Sequence, residues 1–147
     1  MQLTRWTDFA LRTLMVLGVQ PDGRYVPSSE IASLFEVPAD HLRKVTHELM
    51  KQGRIEAKRG AGGGVRLAVD PATLRVGRIV STLERLDLLE CFDPDRDACL
   101  ISAPCRLKHV LQEATQAFVA VLDQHTLADL VAAPDLRRVL LPLAKDR

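Results

Sequence analysis

The sequence predicts a mainly α fold with a small β-hairpin wing: a winged helix-turn-helix joined to a long dimerisation helix. Three observations predict it: two helical patterns flanking a tight turn within residues 28–52, an alternating pair of segments around a glycine run at 54–68, and a long apolar stripe beginning near Pro104. With 147 residues, 47% of them apolar, the chain can bury one ordinary core or a small two-part architecture.

The elements follow in order. Leu3, Trp6, Ala10, Leu14 and Leu17 recur at helical spacing and predict a first helix over about 3–17. Pro21, Asp22 and Gly23 mark a turn. Ser28, just after Pro27, is placed to cap a short helix through Phe35 with its hydroxyl. Val37-Pro38 ends that helix, and Pro38 is tolerated in the first turn of the next, which runs to about Gln52 with Leu42, Val45 and Leu49 as its buried stripe. Gly53 can take the left-handed conformation that closes it.

Residues 54–59 and 65–68 then alternate as the strands of a hairpin whose tip is Gly60-Ala61-Gly62-Gly63-Gly64. A nucleotide-phosphate loop would need a Gly-Lys-Ser/Thr ending and a following helix, and neither is present, so the glycines belong to a wing. A connecting helix over about 75–86 and an acidic cysteine loop follow. In the last long helix Leu107, Leu111, Ala114, Phe118, Val121 and His125 form a coiled-coil-like face, widened by Val110, Ala117 and Leu122 and expected to pack against its copy in a homodimer. The expected organisation is a DNA-binding domain over 1–70, a connecting helix and cluster loop over 71–103, and a dimerisation helix with C-terminal segment over 104–147.

Charge is divided along the chain although the net value is only +1. Residues 41–66 hold seven basic side chains (Arg43, Lys44, Lys51, Arg54, Lys58, Arg59, Arg66) against Glu48 and Glu56, whereas 84–97 hold six acids against Arg85 and Arg96. A basic segment beside a helix-turn-helix pattern is what double-stranded DNA binding requires. With Leu42, Val45 and Leu49 inward, Ala39, His41, Arg43, Lys44 and His47 are the candidate groove contacts. Arg43 suits a bidentate guanine contact and Lys44 a phosphate. Ser28 and Ser29 can offer hydroxyls and backbone N–H groups to a phosphate. Arg59, with Gly60, Gly62 and Gly63 at the tip, can approach the narrow minor groove of A·T-rich DNA. A two-fold dimer would read an inverted repeat.

All three cysteines fall in one fifteen-residue stretch, Cys91-x7-Cys99-x5-Cys105. The apolar run at 14–19 is too short to span a membrane, so a cytoplasmic location is expected, and there an odd number of close cysteines points to metal binding or redox sensing rather than disulfides. The close Cys pair usual for zinc is absent, and the wider spacing suits an iron–sulfur cluster with one iron site left to another ligand. Cys105 is expected in the first turn of the long helix, where exposed N–H groups favour thiolate. A reversible thiol switch is the alternative, and an electron-transfer or cluster-carrier protein is the competing class. The histidines His41, His47, His109 and His125 are scattered without a His-Glu-x-x-His pair, and no hydrolytic triad is suggested, so the chain is not expected to be an enzyme.

Five stretches carry a family resemblance: Met1-Gln2-Leu3-Thr4 with Thr7-Asp8 and Leu11-Arg12; His41-Leu42-x-Lys44-Val45; Arg59-Gly60-x-x-Gly63-Gly64-x-x-Leu67; Pro104-Cys105-Arg106-Leu107-Lys108; and Thr126-Leu127-Ala128-Asp129-Leu130. In these the chain resembles the IscR/NsrR family of winged-helix iron–sulfur regulators over nearly its whole length, in particular its nitric oxide-sensing branch. The resemblance implies a homodimeric repressor holding one [2Fe-2S] or [4Fe-4S] cluster per subunit. It implies Cys91, Cys99 and Cys105 as cluster ligands, Asp8 as an oxygen ligand supplied by the partner subunit, and nitric oxide as the effector that lowers DNA affinity. The supply-sensing branch carries a histidine three residues after its last cysteine. Here that position is Lys108, and His109 lies about 100° around the helix from it.

Overall fold

The computed structural model describes residues 2–21 and 23–141. Met1 of the first matching stretch, Asp22 of the expected turn and residues 142–147 of the C-terminal segment lie outside the described residues. The element order is α1 (Arg5–Gly18), α2 (Ser28–Leu34), α3 (Ala39–Lys51), β1 (Ile55–Lys58), β2 (Gly64–Leu67), α4 (Val76–Leu83), α5 (Arg106–Asp123), α6 (Leu127–Val131) and α7 (Pro134–Leu140), with 3₁₀ turns at Pro71–Thr73 and Glu90–Phe92. The expected mainly α chain with one hairpin is the observed one.

Apolar periodicity explains why α1 lies at the centre. Ala10, Leu14 and Leu17 are buried as the spacing predicts, and Thr7, Thr13 and Val16 extend the buried band around the helix. The alcohols do not stay unpaired: Thr13 Oγ1 donates to Phe9 O at 2.7 Å. Helices α2 and α3 pack on each other and α3 on α1, burying Ile31, Leu42, Val45 and Leu49.

The helix-turn-helix turn closes by backbone geometry. Glu36 adopts φ +52 and the Val37 N–H donates to Ala32 O at 2.9 Å, a Schellman-like stop. Pro27, not Ser28, is the N-cap of α2, and no side chain caps that helix, so the expected serine cap is corrected: Ser28 is already helical. Gly53, at φ +69 after the C-cap of α3, takes the predicted left-handed conformation.

The hairpin pairs antiparallel with Glu56 opposite Arg66 and Ala57 opposite Val65. Val26 joins it through reciprocal 2.8 Å hydrogen bonds with Val65, tying the wing to the chain entering α2.

The C-terminal part returns to the N-terminal half. Leu127 and Val131 of α6 pack beneath α1, where they meet Gly18, and Leu140 of α7 joins the same core. Burying each such aliphatic side chain contributes roughly 1.5–3 kcal/mol. A capping box of Thr126 and Asp129 starts α6, and two backbone hydrogen bonds, Val76 N–H to His125 O and Leu127 N–H to Leu74 O, stitch it to the start of α4.

Helix α5 corrects the stripe read from the sequence. It ends at Asp123, so His125 is not part of it. Leu111, Phe118 and Leu122 are half-buried, while Leu107, Val110, Ala114, Ala117 and Val121 form a separate exposed row at alternating three- and four-residue spacing. Leu107, Val110 and Val121 are each more than half exposed. The single expected face is thus two faces, because α4 already packs against one flank of α5. No described helix is long and apolar enough to cross a membrane.

Candidate nucleic-acid interface and cysteine loop

The recognition-helix pattern separates as expected on α3: Leu42, Val45, Thr46 and Leu49 face the core, while Ala39, His41, Arg43, Lys44 and His47 are exposed. Among the described residues Arg43 is held only by an exposed i,i+3 pair with Asp40 at 3.1 Å, which contributes little and leaves the guanidinium able to turn toward another acceptor. Ser28 is half-buried and Ser29 exposed at the start of α2.

At the wing tip Arg59 is exposed, and Gly60 (φ +89) and Gly62 (φ +68) lie in the left-handed region. Gly63 is required by close approach as well: a Cβ there would meet Gly60 O at 2.7 Å.

The base of the wing is braced by residues that composition alone did not single out. Glu56 Oε1 accepts both from Tyr25 Oη at 2.7 Å and from Arg66 Nε at 2.6 Å. The guanidinium of Arg66 also stacks over the Tyr25 ring at 4.8 Å, with the Lys58 ammonium 5.9 Å from that ring. The Tyr25 and Arg66 hydrogen bonds hold the Glu56 carboxyl below the ordinary carboxylate range. The cross-strand placement of Glu56 and Arg66 is readable from strand pairing, whereas the contribution of Tyr25 is not.

The cysteines occupy the segment between α4 and α5. Cys91 is buried in the 3₁₀ turn, Cys99 and Cys105 are half-buried, and all three thiols are free. Cys105 is the N-cap of α5 rather than a first-turn residue, with extended backbone (φ −75, ψ 106) and no capping hydrogen bond from its side chain.

Three carboxylates of this loop, Asp87, Asp93 and Asp97, are engaged. Arg85 bridges Asp87 (3.0 Å) and Asp93 (2.9 Å). Asp97 accepts from the Cys99 N–H at 3.2 Å, from Ser102 Oγ and from Lys108 Nζ at 3.4 Å. These contacts hold Asp97 below the ordinary range, the Ser102 hydroxyl being the largest cause. Lys108, in the position where supply-sensing relatives carry a histidine, is therefore a clasp on the loop.

The loop offers three thiols as free soft donors, a set that fits an iron–sulfur cluster in kind. Within one chain, however, no three His, Cys, Asp or Glu side chains among the described residues are gathered to hold a metal. Asp8 lies on α1 and is gripped by Arg12 through both oxygens, Oδ1 to Nε and Oδ2 to Nη2, each at 2.9 Å. Arg12 in turn stacks over Phe35 at 5.4 Å, at the end of α2.

Two contacts tie α4, which leads into this loop, to the N-terminal half. At the end of α4, the Glu84 carboxylate accepts from Thr7 Oγ1 at 2.5 Å and from Thr4 N–H and Oγ1 at 3.0 Å each, across nearly 80 residues. Buried Arg54, at the entry to β1, donates from Nη2 to Thr82 Oγ1 at 2.6 Å and to Arg78 O at 3.3 Å.

Burial pushes the Glu84 pKa up, but the hydrogen bonds from Thr7 and Thr4 outweigh it, so the carboxyl titrates below its ordinary 4.5. A depressed folded value means that the stabilisation is full above the unfolded value and fades as pH falls through the lower folded one. Thermal melts of wild type and Glu84→Gln should therefore differ most at neutral pH and converge well below pH 4.5. Equal melting temperatures at neutral pH would show that the triple contact adds nothing.

Comparison with known proteins places the whole arrangement. The model of the Rrf2 family, described as an iron-dependent transcriptional regulator, matches residues 3–133. The HTH-type transcriptional regulator NsrR of Shouchella clausii is 43% identical over 142 residues, covering 96% of this chain and 95% of that protein. NsrR of Bacillus subtilis is 42% identical over 132 residues, with 89% and 90% coverage. Among solved structures, T. potens IscR superposes with a TM-score of 0.71 at 23% identity, covering 90% of this chain and 87% of that one. The oxidized form of Staphylococcus aureus CymR gives 0.73 at 22% identity, with 90% and 98% coverage.

Proposed function

The chain belongs to the Rrf2 family of transcriptional regulators, and from that premise we propose that it is a homodimeric repressor of A·T-rich inverted-repeat operators, released from DNA by nitric oxide acting at an iron–sulfur site. That it is a DNA-binding regulator and not an enzyme follows from the family itself. The observation that carries the finer reading is the coexistence, on one small body, of two exposed basic elements with a loop of three free thiols.

In this proposal residues 1–70 read DNA, 71–103 provide the connecting helix and the sensing loop, and 104–147 the dimer contact, with α6 and α7 also completing the core under α1. Arg43, Lys44, His41, His47 and Ala39 present the groove-facing side of α3. Arg59 and the tip glycines follow the backbone into the minor groove, and Ser28 and Ser29 hold a phosphate. The exposed row from Leu107 to Val121, continued by the exposed Leu100 and Ile101, is the surface covered by the second subunit.

Cys91, Cys99 and Cys105 would hold the cluster, with Asp8 supplied by the partner subunit as an oxygen ligand. When bound, the cluster supplies the iron that nitric oxide attacks. The chain's own part is mechanical. The sensing loop begins one residue after Glu84, which grips the start of α1, and the preceding turn of α4 is gripped by Arg54 at the base of the wing. A shift of the loop therefore reaches both α1 and the wing. To serve as a ligand, Asp8 must free an oxygen from Arg12, whose guanidinium also rests on Phe35 beside the helix-turn-helix turn. A coupling of ~1–3 kcal/mol through these contacts would change operator affinity by ~5–150-fold.

The test is an anaerobic titration of the reconstituted protein with nitric oxide, following visible absorption and operator binding together. The expected result is parallel bleaching and DNA release. DNA binding that ignores nitric oxide while responding to cluster supply would replace the effector assignment, and a colourless but thiol-responsive protein would replace the cluster with a thiol switch.

A further inference from the structure

Trp6 falls in the apolar stripe of α1, and its spacing alone makes it a core residue. The structure gives it a second environment. The indole packs on the core, yet it is only partly buried, and its other side lines a depression of about 490 Å³ shared with Arg43, Lys44, His47 and Glu48 of α3.

Three of those α3 side chains are cationic or can become so. The one acid, Glu48, is engaged by Gln52 Nε2 at 2.9 Å. Among the described residues the Trp6 side chain makes no hydrogen bond, and its single polar group, the indole N–H, can only donate. An apolar floor with one free donor, ringed by cations beside the exposed face of α3, matches the chemistry of a sugar-phosphate unit: the deoxyribose lies on the ring, and a phosphate oxygen takes the N–H and a cation.

We propose that Trp6, with Lys44 and His47, forms a seat for one backbone phosphate and its deoxyribose at the edge of the groove read by α3. This seat would fix the register of α3 on the duplex without reading a base. It also places a DNA contact two residues from Asp8 on the same helix, so a displacement of α1 acts directly on DNA as well as through α3. The inference rests on the DNA-binding reading of the chain but on neither the cluster nor nitric oxide.

Trp6 is the sole tryptophan of the chain, so wild-type emission reports on the seat without a label. Adding operator duplex to the full chain should alter that emission and reduce its quenching by acrylamide. Trp6→Phe keeps an aromatic floor but removes the donor. It should weaken operator binding by roughly tenfold with an unchanged dependence on salt, because no charge is lost. A scan of duplexes carrying single neutral methylphosphonates should contain one half-site position that costs the wild type more affinity than it costs Trp6→Phe, which keeps the cations but has already lost the N–H contact. The seat is overturned if emission and acrylamide quenching ignore the operator, or if every methylphosphonate weakens both proteins equally. A wild-type chain that binds no duplex would overturn the DNA-binding reading itself, and the seat with it.

Discussion

Cys91→Ser prepared and reconstituted without oxygen will lack visible charge-transfer absorption, and its operator affinity will no longer respond to nitric oxide. Cys91 is the most buried of the three thiols, at 6% exposure, and sits in the Glu90–Phe92 turn only seven residues after Glu84. Serine preserves the size of the side chain, but its hydroxyl is a poor soft-metal ligand. Far-ultraviolet dichroism should be unchanged, since Cys91 lies outside the apolar core cluster that α1–α3 and the wing share. Operator binding should fall toward that of the cluster-free wild type, a drop within the ~5–150-fold range set by an ordinary coupling energy. A variant that keeps iron, sulfide and the full nitric oxide response would remove Cys91 from the ligand set.

Gly77→Ala will detach α5 from α4. Gly77 is buried in the first turn of α4, and a Cβ there would sit 2.5 Å from Val119 O and 2.8 Å from both the Asp123 N and Oδ1 atoms. Two of those are backbone atoms of α5, and the third, the Asp123 Oδ1 side-chain oxygen, is held where it accepts the Arg78 N–H at 2.9 Å. Overpacking of this kind costs about 1–3 kcal/mol. For a chain of this size that lowers the melting temperature by roughly 2–12 °C. Dimer dissociation measured by sedimentation should rise in parallel, because the exposed row of α5 is oriented through this contact. An unchanged melt would mean that the two helices adjust more freely than the packing suggests.

The parts of the fold legible in the sequence are those whose cause is local. The α3 periodicity, the left-handed Gly53 and the glycine tip of the hairpin each depend on neighbours within a few residues, and each is where the pattern puts it. Contacts across long separations were not legible. Nothing near Glu84 announces that its carboxylate reaches Thr4 and Thr7, and nothing near Leu127 announces that a five-residue helix is buried under α1. The two faces of α5 could not be separated until α4 was seen against one of them. Ser28, expected as the cap, lies inside the helix one residue after the Pro27 N-cap, which makes no side-chain capping bond.

The candidate contacts on α3 were readable because inward and outward positions alternate with the helical period. Trp6 obeys the core pattern and does pack on the core, and only the approach of α3 shows that it also lines a depression. The cysteines were readable as a set in one loop, but within one chain the described residues are not gathered into a metal site, which spacing alone could not specify.

The return of α6 beneath α1 sets the order in which the molecule can be finished during synthesis. As the chain leaves the ribosome from its N-terminus, α1, α2, α3 and the wing emerge first, but the underside of α1 stays bare until Leu127 and Val131 arrive. By then the whole of α5 has already been made. On the proposed assignment of DNA binding to 1–70 and dimer contact to α5, the head is completed only after the dimer helix has been made, and a shorter chain is left with an unfinished core.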